Sequence, residues 1–196
     1  MVRRKAAAAE KLGKPRKPSW AWLVVLIAFV LLVGGGFGAL GLTNALARAG
    51  YAERISAPEA IGSLTIPPAS DPLPILAGTS LETLRQGLGW YEGTSEPGSY
   101  GNCAIAGHRL GWGQPFAALD ELALGDEIRI TTATATYTYK VVTTATIVAG
   151  DQSDVLAGVP GDPTRAPTKA LLTLTTAASW LPSPNRLVVV AELVAY

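Results

Sequence analysis

In 196 residues the chain has one cysteine, one histidine and charged side chains at only 16% of positions. With Cys103 alone, no internal disulfide can form, so a domain outside the cytoplasm would have to rest on its hydrophobic core. With His108 alone, a serine such as Ser179 has no second histidine to act as its base. No zinc spacing, phosphate loop or dinucleotide fingerprint is present. Apolar side chains, by contrast, make up 48% of the chain. That is enough buried surface to offset ordering entropy, which excludes a disordered tail or a collagen-like repeat.

Much of this apolar content is local. Residues 19–47 carry no charged side chain. A run of ~20 apolar residues spans the ~30 Å hydrocarbon core of a bilayer, so residues 19–45 are expected to form a transmembrane anchor. Trp20 and Trp22 stand at its start, where indoles favour the membrane interface. The alternative is a cleavable signal peptide, with Ala45-Leu46-Ala47 as a small-residue cleavage site, but the apolar run exceeds the usual ~7–15 residues. Gly34-Gly-Gly-Phe-Gly38 either weakens the second half of the helix or lets another helix pack closely.

The net charge of +1 conceals an asymmetry. Residues 1–18 hold seven basic side chains against Glu10, leaving nine basic and fourteen acidic residues in the remainder. The positive-inside rule then predicts a basic cytoplasmic tail at 1–18, a single pass through the plasma membrane and an extracytoplasmic C-terminal domain. Nucleic acid is not an expected partner, because the positive charge lies on a tail rather than on the folded domain.

After a linker at 46–62, residues 63–196 are expected to form the outer domain. Glu127–Thr132 and Thr136–Thr143 alternate with period two and are joined by Ala133-Thr-Ala135, which predicts a hairpin. Ser63–Ile66, Cys103–Ala106, Leu171–Thr175 and Leu187–Leu193 read as further strands. Thr79-Ser-Leu-Glu82 fits a capping box ahead of a short helix near 80–86, and Phe116–Leu122 reads as one or two helical turns. Seven or eight strands with little helix predict a mainly β fold, a closed barrel. His108 follows an apolar strand and a glycine, at a barrel rim. Cys103 reads as a small buried apolar residue.

Four ordered blocks carry a family resemblance. They are Leu64-Thr-Ile-Pro67, Gly89-Trp-Tyr-Glu-Gly-Thr-Ser-Glu-Pro-Gly98 leading into Gly101-Asn-Cys-Ala-Ile-Ala-Gly-His-Arg109, then Gly113–Ile128, and Leu172-Thr-Leu-Thr-Thr176 followed by Asn185-Arg-Leu-Val188. The set resembles the sortases, membrane-anchored cysteine transpeptidases of Gram-positive bacteria, and most closely the class E group of actinobacteria. The resemblance implies an eight-stranded β-barrel with short helices and no cofactor. It also implies cleavage of a sorting signal of the LAXTG or LPXTG type and transfer of the protein, through a thioester acyl-enzyme, to a cell-wall precursor amine.

Residue by residue, His108 matches the family histidine and Arg186 the family arginine. The position of the nucleophilic cysteine holds Ala177, and a methyl group cannot attack a carbonyl. Two explanations stay open: a deliberate Cys-to-Ala replacement, or an inactive pseudo-sortase that binds a peptide or a partner. Tyr91, Tyr100 and Thr176 are expected to line the peptide site. Asp120, Glu121, Asp126 and Glu127 read better as helix-end and turn residues than as a calcium site, so no metal is expected. Asp151 and Asp154 read as solvated loop residues.

Overall fold

Thirty consecutive residues, Trp20–Ala49, form helix α1, unbroken across Gly34–Gly38. The structure is a computed structural model that describes residues 20–69, 71–149, 153–179 and 183–195. By internal contacts the chain divides into two units, Met1–Ala39 and Leu40–Tyr196. In the first unit Leu23, Val24, Leu31 and Phe37 are all exposed. A helix that is apolar all round and unburied is of the kind that crosses membranes, and this one is long enough to do so.

The second unit is a closed barrel in the order β1-β2-β3-β4-β7-β8-β6-β5. Its strands are β1 (Ala60–Thr65), β2 (Leu73–Ala77), β3 (Leu88–Trp90) and β4 (Gly101–Ala106), then β5 (Glu127–Thr131), β6 (Thr136–Val148), β7 (Ala170–Ala177) and β8 (Arg186–Ala195). Short helix α2 (Tyr51–Ile55) precedes β1, while α3 (Leu81–Gln86), a 3-10 turn at Leu119–Glu121 and α4 (Ser153–Leu156) lie between strands. The mainly β, eight-stranded barrel expected from the sequence is the fold observed.

Period-two patterning places the hairpin. In β5 the side chains of Ile128 and Ile130 turn inward while Glu127, Arg129 and Thr131 face out. The expected partner strand does not stop at Thr143 but runs to Val148, its register with β8 shifting at three places. Such irregularities bend a long strand around a barrel.

Two parallel pairings, β2 with β3 and β4 with β7, interrupt the antiparallel order. A parallel central strand is covered on both faces, and every residue of β4 is buried. Its one polar side chain is satisfied: Asn102 accepts from Thr173 Oγ1 at 2.7 Å and donates to Val155 O at 2.9 Å. Cys103 lies in the core beside Ile105, Leu172 and Leu174, as a small apolar residue should. Burial pushes its thiol up to about 12.

Two local expectations are corrected. The helix near 80–86 forms, but its cap is Ser80, whose Oγ accepts from Thr83 N–H at 3.1 Å; Thr79 stands one residue too early. The helical reading of Phe116–Leu122 shrinks to the three-residue 3-10 turn. The stretch 46–62, read from the sequence as a helical or irregular linker, is ordered. It carries the end of α1, all of α2 and the start of β1, and Tyr51 is buried in the barrel core.

Candidate active site

Gly107 allows β4 to end where it does. A Cβ there would meet Leu88 Cδ2 and Phe116 Cδ2, both at 2.7 Å, so any larger residue would have to displace those side chains. Its N–H donates to Thr175 O at 3.1 Å, extending the β4–β7 ladder by one rung. The next residue, His108, therefore emerges at the barrel rim, its carbonyl accepting from Phe116 N–H at 3.1 Å. On the other side of the rim, Ala177 closes β7 and pairs in register with Arg186, which opens β8.

His108, Ala177 and Arg186 thus line one cleft of about 240 Å³, together with Tyr91, Thr175 and Thr176. Leu81 and Leu84 of α3 form an apolar wall. Most polar groups here already have partners. Thr176 Oγ1 donates to Gly107 O at 2.8 Å, and Tyr91 Oη lies 3.2 Å from Thr175 Oγ1. Arg109 donates to Ala178 O at 3.0 Å and to Asp120 Oδ2 at 2.7 Å. Among the described residues two atoms are left over: His108 Nε2 and Arg186 Nε are buried without a hydrogen-bond partner. Unpaired buried polar atoms are costly and mark a place where a ligand can supply the missing group. Burial, and secondarily the charge of Arg85, hold the His108 imidazole below its ordinary pKa, so it is neutral near pH 7.

The remaining sequence candidates fall as follows. Tyr91 and Thr176 reach the cleft. Tyr100 does not: it is 75% exposed and borders a separate depression with Gly98, Tyr137 and Lys169. Its neighbour Gly101 has φ of 113°, and the chain turns there before entering β4, carrying Tyr100 away from His108. Ser179 is not among the residues lining the cleft. Asp126 Oδ2 accepts from Ala123 N–H at 2.9 Å, and Glu127 pairs with Arg129 and Lys140, so these acids serve a turn and a strand surface. Asp154 lies in α4, while Asp151 is outside the described residues.

Helix α3 is legible in the sequence, but nothing there places its Leu81 and Leu84 against His108, which lies far along the chain. The sequence reading missed the loop after Arg109. Gly111, Trp112, Gly113 and Gln114 all have positive φ, from 51° to 85°. For Trp112 and Gln114 this left-handed backbone costs on the order of 1 kcal/mol or more each. The loop is tied down from the N-terminal side: Arg48 Nε donates to Gly113 O at 2.8 Å, Tyr51 Oη to Trp112 O at 3.1 Å, and Asn44 Oδ1 accepts from Gly113 N–H at 3.1 Å. The Arg85 guanidinium lies 5.0 Å over the Trp112 ring. A larger apolar cavity of about 350 Å³ beneath α2, beside Pro67 and Pro68, holds neither imidazole nor thiol.

An eight-stranded barrel of this topology, with one cleft where β4, β7 and β8 meet, defines the class. Residues 64–194 match the sortase domain model, and the chain belongs to the sortase family. Within it the chain is class E-like. It is 32% identical over 143 residues to sortase SrtE2 of Streptomyces coelicolor, a match covering 68% of this chain and 56% of that protein. Sortase E from Streptomyces avermitilis superposes with a TM-score of 0.62 at 34% identity, covering 70% of this chain and 89% of that one. The SrtA sortase from Actinomyces oris gives 0.65 at 36% identity, covering 71% and 82%. The chain spans about half the length of the curated relatives it matches.

Proposed function

We propose that this chain is a membrane-tethered sortase-family protein whose rim cleft receives a sorting-signal peptide of the LAXTG or LPXTG type. With alanine at 177, it stops at binding. The observation that carries this reading is the pair of buried nitrogens, His108 Nε2 and Arg186 Nε, without partners among the described residues and in one cleft with the Ala177 methyl. A peptide backbone carries carbonyl oxygens and N–H groups that would satisfy both.

The same geometry indicates what a cysteine at 177 would do. A thiolate there would attack the peptide carbonyl. The Arg186 guanidinium, paired with 177 across the β7–β8 ladder, would hold the developing oxyanion. His108 would take the thiol proton as the thiolate forms, deliver it to the departing amine, and later remove one from the incoming cell-wall amine. Neutral near pH 7 and half-buried, it suits proton transfer in both directions. None of these steps can begin from a methyl group.

The basic segment 1–18 and the apolar α1 support a tether with its N-terminus in the cytoplasm and the barrel outside. That is where a cell-wall amine would be met.

The test is fluorescence anisotropy of an N-terminally labelled LAXTG peptide titrated with the full chain in detergent. Saturable binding without cleavage is expected, weakened at least several-fold by Arg186→Gln. Absence of binding would overturn the reading. A second reading, an active transpeptidase in its silenced form, is favoured by the retention of both His108 and Arg186. Both readings expect Ala177→Cys to be acylated; complete transfer to an added amine with no further substitution separates the silenced enzyme from a binding protein.

A further inference from the structure

The cleft's charge balance is lopsided. Arg109 is neutralised by Asp120 at 2.7 Å, and Arg85 pairs with Glu82 at 3.5 Å. Arg186 makes no such ion pair among the described residues, and no carboxylate lines the cleft there. A thiolate at 177 would supply the missing negative charge, since cationic surroundings favour that form. A methyl cannot. The cleft therefore holds one uncompensated guanidinium and two buried unpartnered nitrogens, Arg186 Nε and His108 Nε2.

That combination selects an anion with two acceptor oxygens. A neutral peptide carbonyl offers one oxygen and no charge, whereas a carboxylate offers two and a full negative charge. The cleft is also small. At about 240 Å³ it lies below the usual ~300–1,000 Å³ of small-molecule pockets, with room for the end of a chain rather than a long stretch of one. Leu81 and Leu84 supply an apolar wall for the last side chains.

We propose that, in the form carrying Ala177, the cleft is a receptor for a free peptide C-terminus: the carboxylate of an already cleaved chain bridges Arg186 Nε and His108 Nε2. This rests on the peptide-cleft reading above and narrows its ligand. A glutamate or aspartate side chain within a peptide offers the same chemistry, so the test must separate the two sources.

Three N-terminally labelled peptides are titrated against the full chain in detergent near pH 7: Leu-Ala-Ala-Thr ending in a free acid, the same peptide as its amide, and Leu-Ala-Glu-Thr amide. The free acid is expected to bind about tenfold tighter than the amide, the scale of one charge-assisted contact, and the glutamate amide to behave like the plain amide. In Arg186→Gln the acid's advantage should fall below about twofold, while Arg186→Lys, which keeps the charge, should retain part of it. Equal, saturable binding of acid and amide would overturn this proposal and leave the peptide-cleft reading standing. Recovery of affinity by the glutamate amide would overturn the assignment to a chain terminus. No binding by any of the three would overturn both.

Discussion

Ala177 and Arg186 are the last registered pair of the β7–β8 ladder, so the guanidinium belongs to the residue directly opposite the methyl. Restoring a thiol at 177 would therefore place it at a strand end beside a fixed cation, with His108 lining the same cleft. All three positions line one cleft.

Ala177→Cys should gain a thiol that reacts rapidly near neutral pH, because Arg186 favours the thiolate. The unsubstituted chain should resist labelling while folded. Its only thiol, Cys103, is 1% exposed and held up to about 12 by burial. Counting thiols with a chromogenic disulfide reagent, before and after denaturation, checks both expectations.

Alkaline stability follows from the same cysteine. Its folded pKa is raised, so above about pH 9 the unfolded chain binds fewer protons than the folded one and stability falls with pH. The slope from one such group is at most about 1.4 kcal/mol per pH unit. Tyr51 and Tyr139, both raised by burial, add to it above pH 10. Urea unfolding across this range should show Cys103→Ala losing the part of the slope that starts near pH 9.

His108 sets an acid-side dependence. Its pKa is lowered, so stability is full above the ordinary histidine value of 6.5 and declines as pH falls through it, where the unfolded chain takes up the proton first. Burial lowers the pKa most and the charge of Arg85 from α3 adds to this; Arg109, paired with Asp120, Arg186 from β8 and Tyr91 line the same cleft. A bound carboxylate would raise the His108 pKa, so free-acid peptides should bind more tightly as pH drops toward 6, and amides should not. Imidazole resonances followed by NMR, with and without peptide, test this directly.

How much of this was legible in the sequence differs from element to element. β5 and β6 announce themselves because one of their faces is buried, which makes charge and hydrophobicity alternate. His108, Arg186, Tyr91 and Thr176 could be found because each sits in a short ordered block. β2 was invisible: Pro74 lies within it, and proline argues against a strand. β3 has three residues, too few for any period to show. Tyr100 misled because adjacency to a functional block says nothing of which way the chain turns before β4. The docking of Asn44, Arg48 and Tyr51 on the loop at 111–114 spans more than 60 residues of chain, and no local pattern encodes it.

That docking carries its own expectation. Tyr51→Phe removes the hydrogen bond to Trp112 O and should cost about 1 kcal/mol, while Tyr51→Ala, emptying a core position, should cost roughly 3–5 kcal/mol. Denaturant midpoints measure both. If the left-handed loop depends on this clamp, Trp112 fluorescence in an otherwise Trp-to-Phe background should also shift in Tyr51→Phe.

Gly107→Ala tests the turn that exposes His108. A methyl 2.7 Å from Leu88 and Phe116 must push one of them aside, at a cost of about 1–3 kcal/mol. Peptide affinity should drop along with the melting temperature.

The most direct measurement is the intact mass of Ala177→Cys after incubation with a Leu-Ala-Ala-Thr-Gly peptide. A mass increase equal to the Leu-Ala-Ala-Thr acyl group, mapped to residue 177 and absent in Ala177→Cys/Arg186→Gln, is the predicted result. A folded, thiol-reactive Ala177→Cys chain that stays at its own mass and binds no peptide would contradict the account.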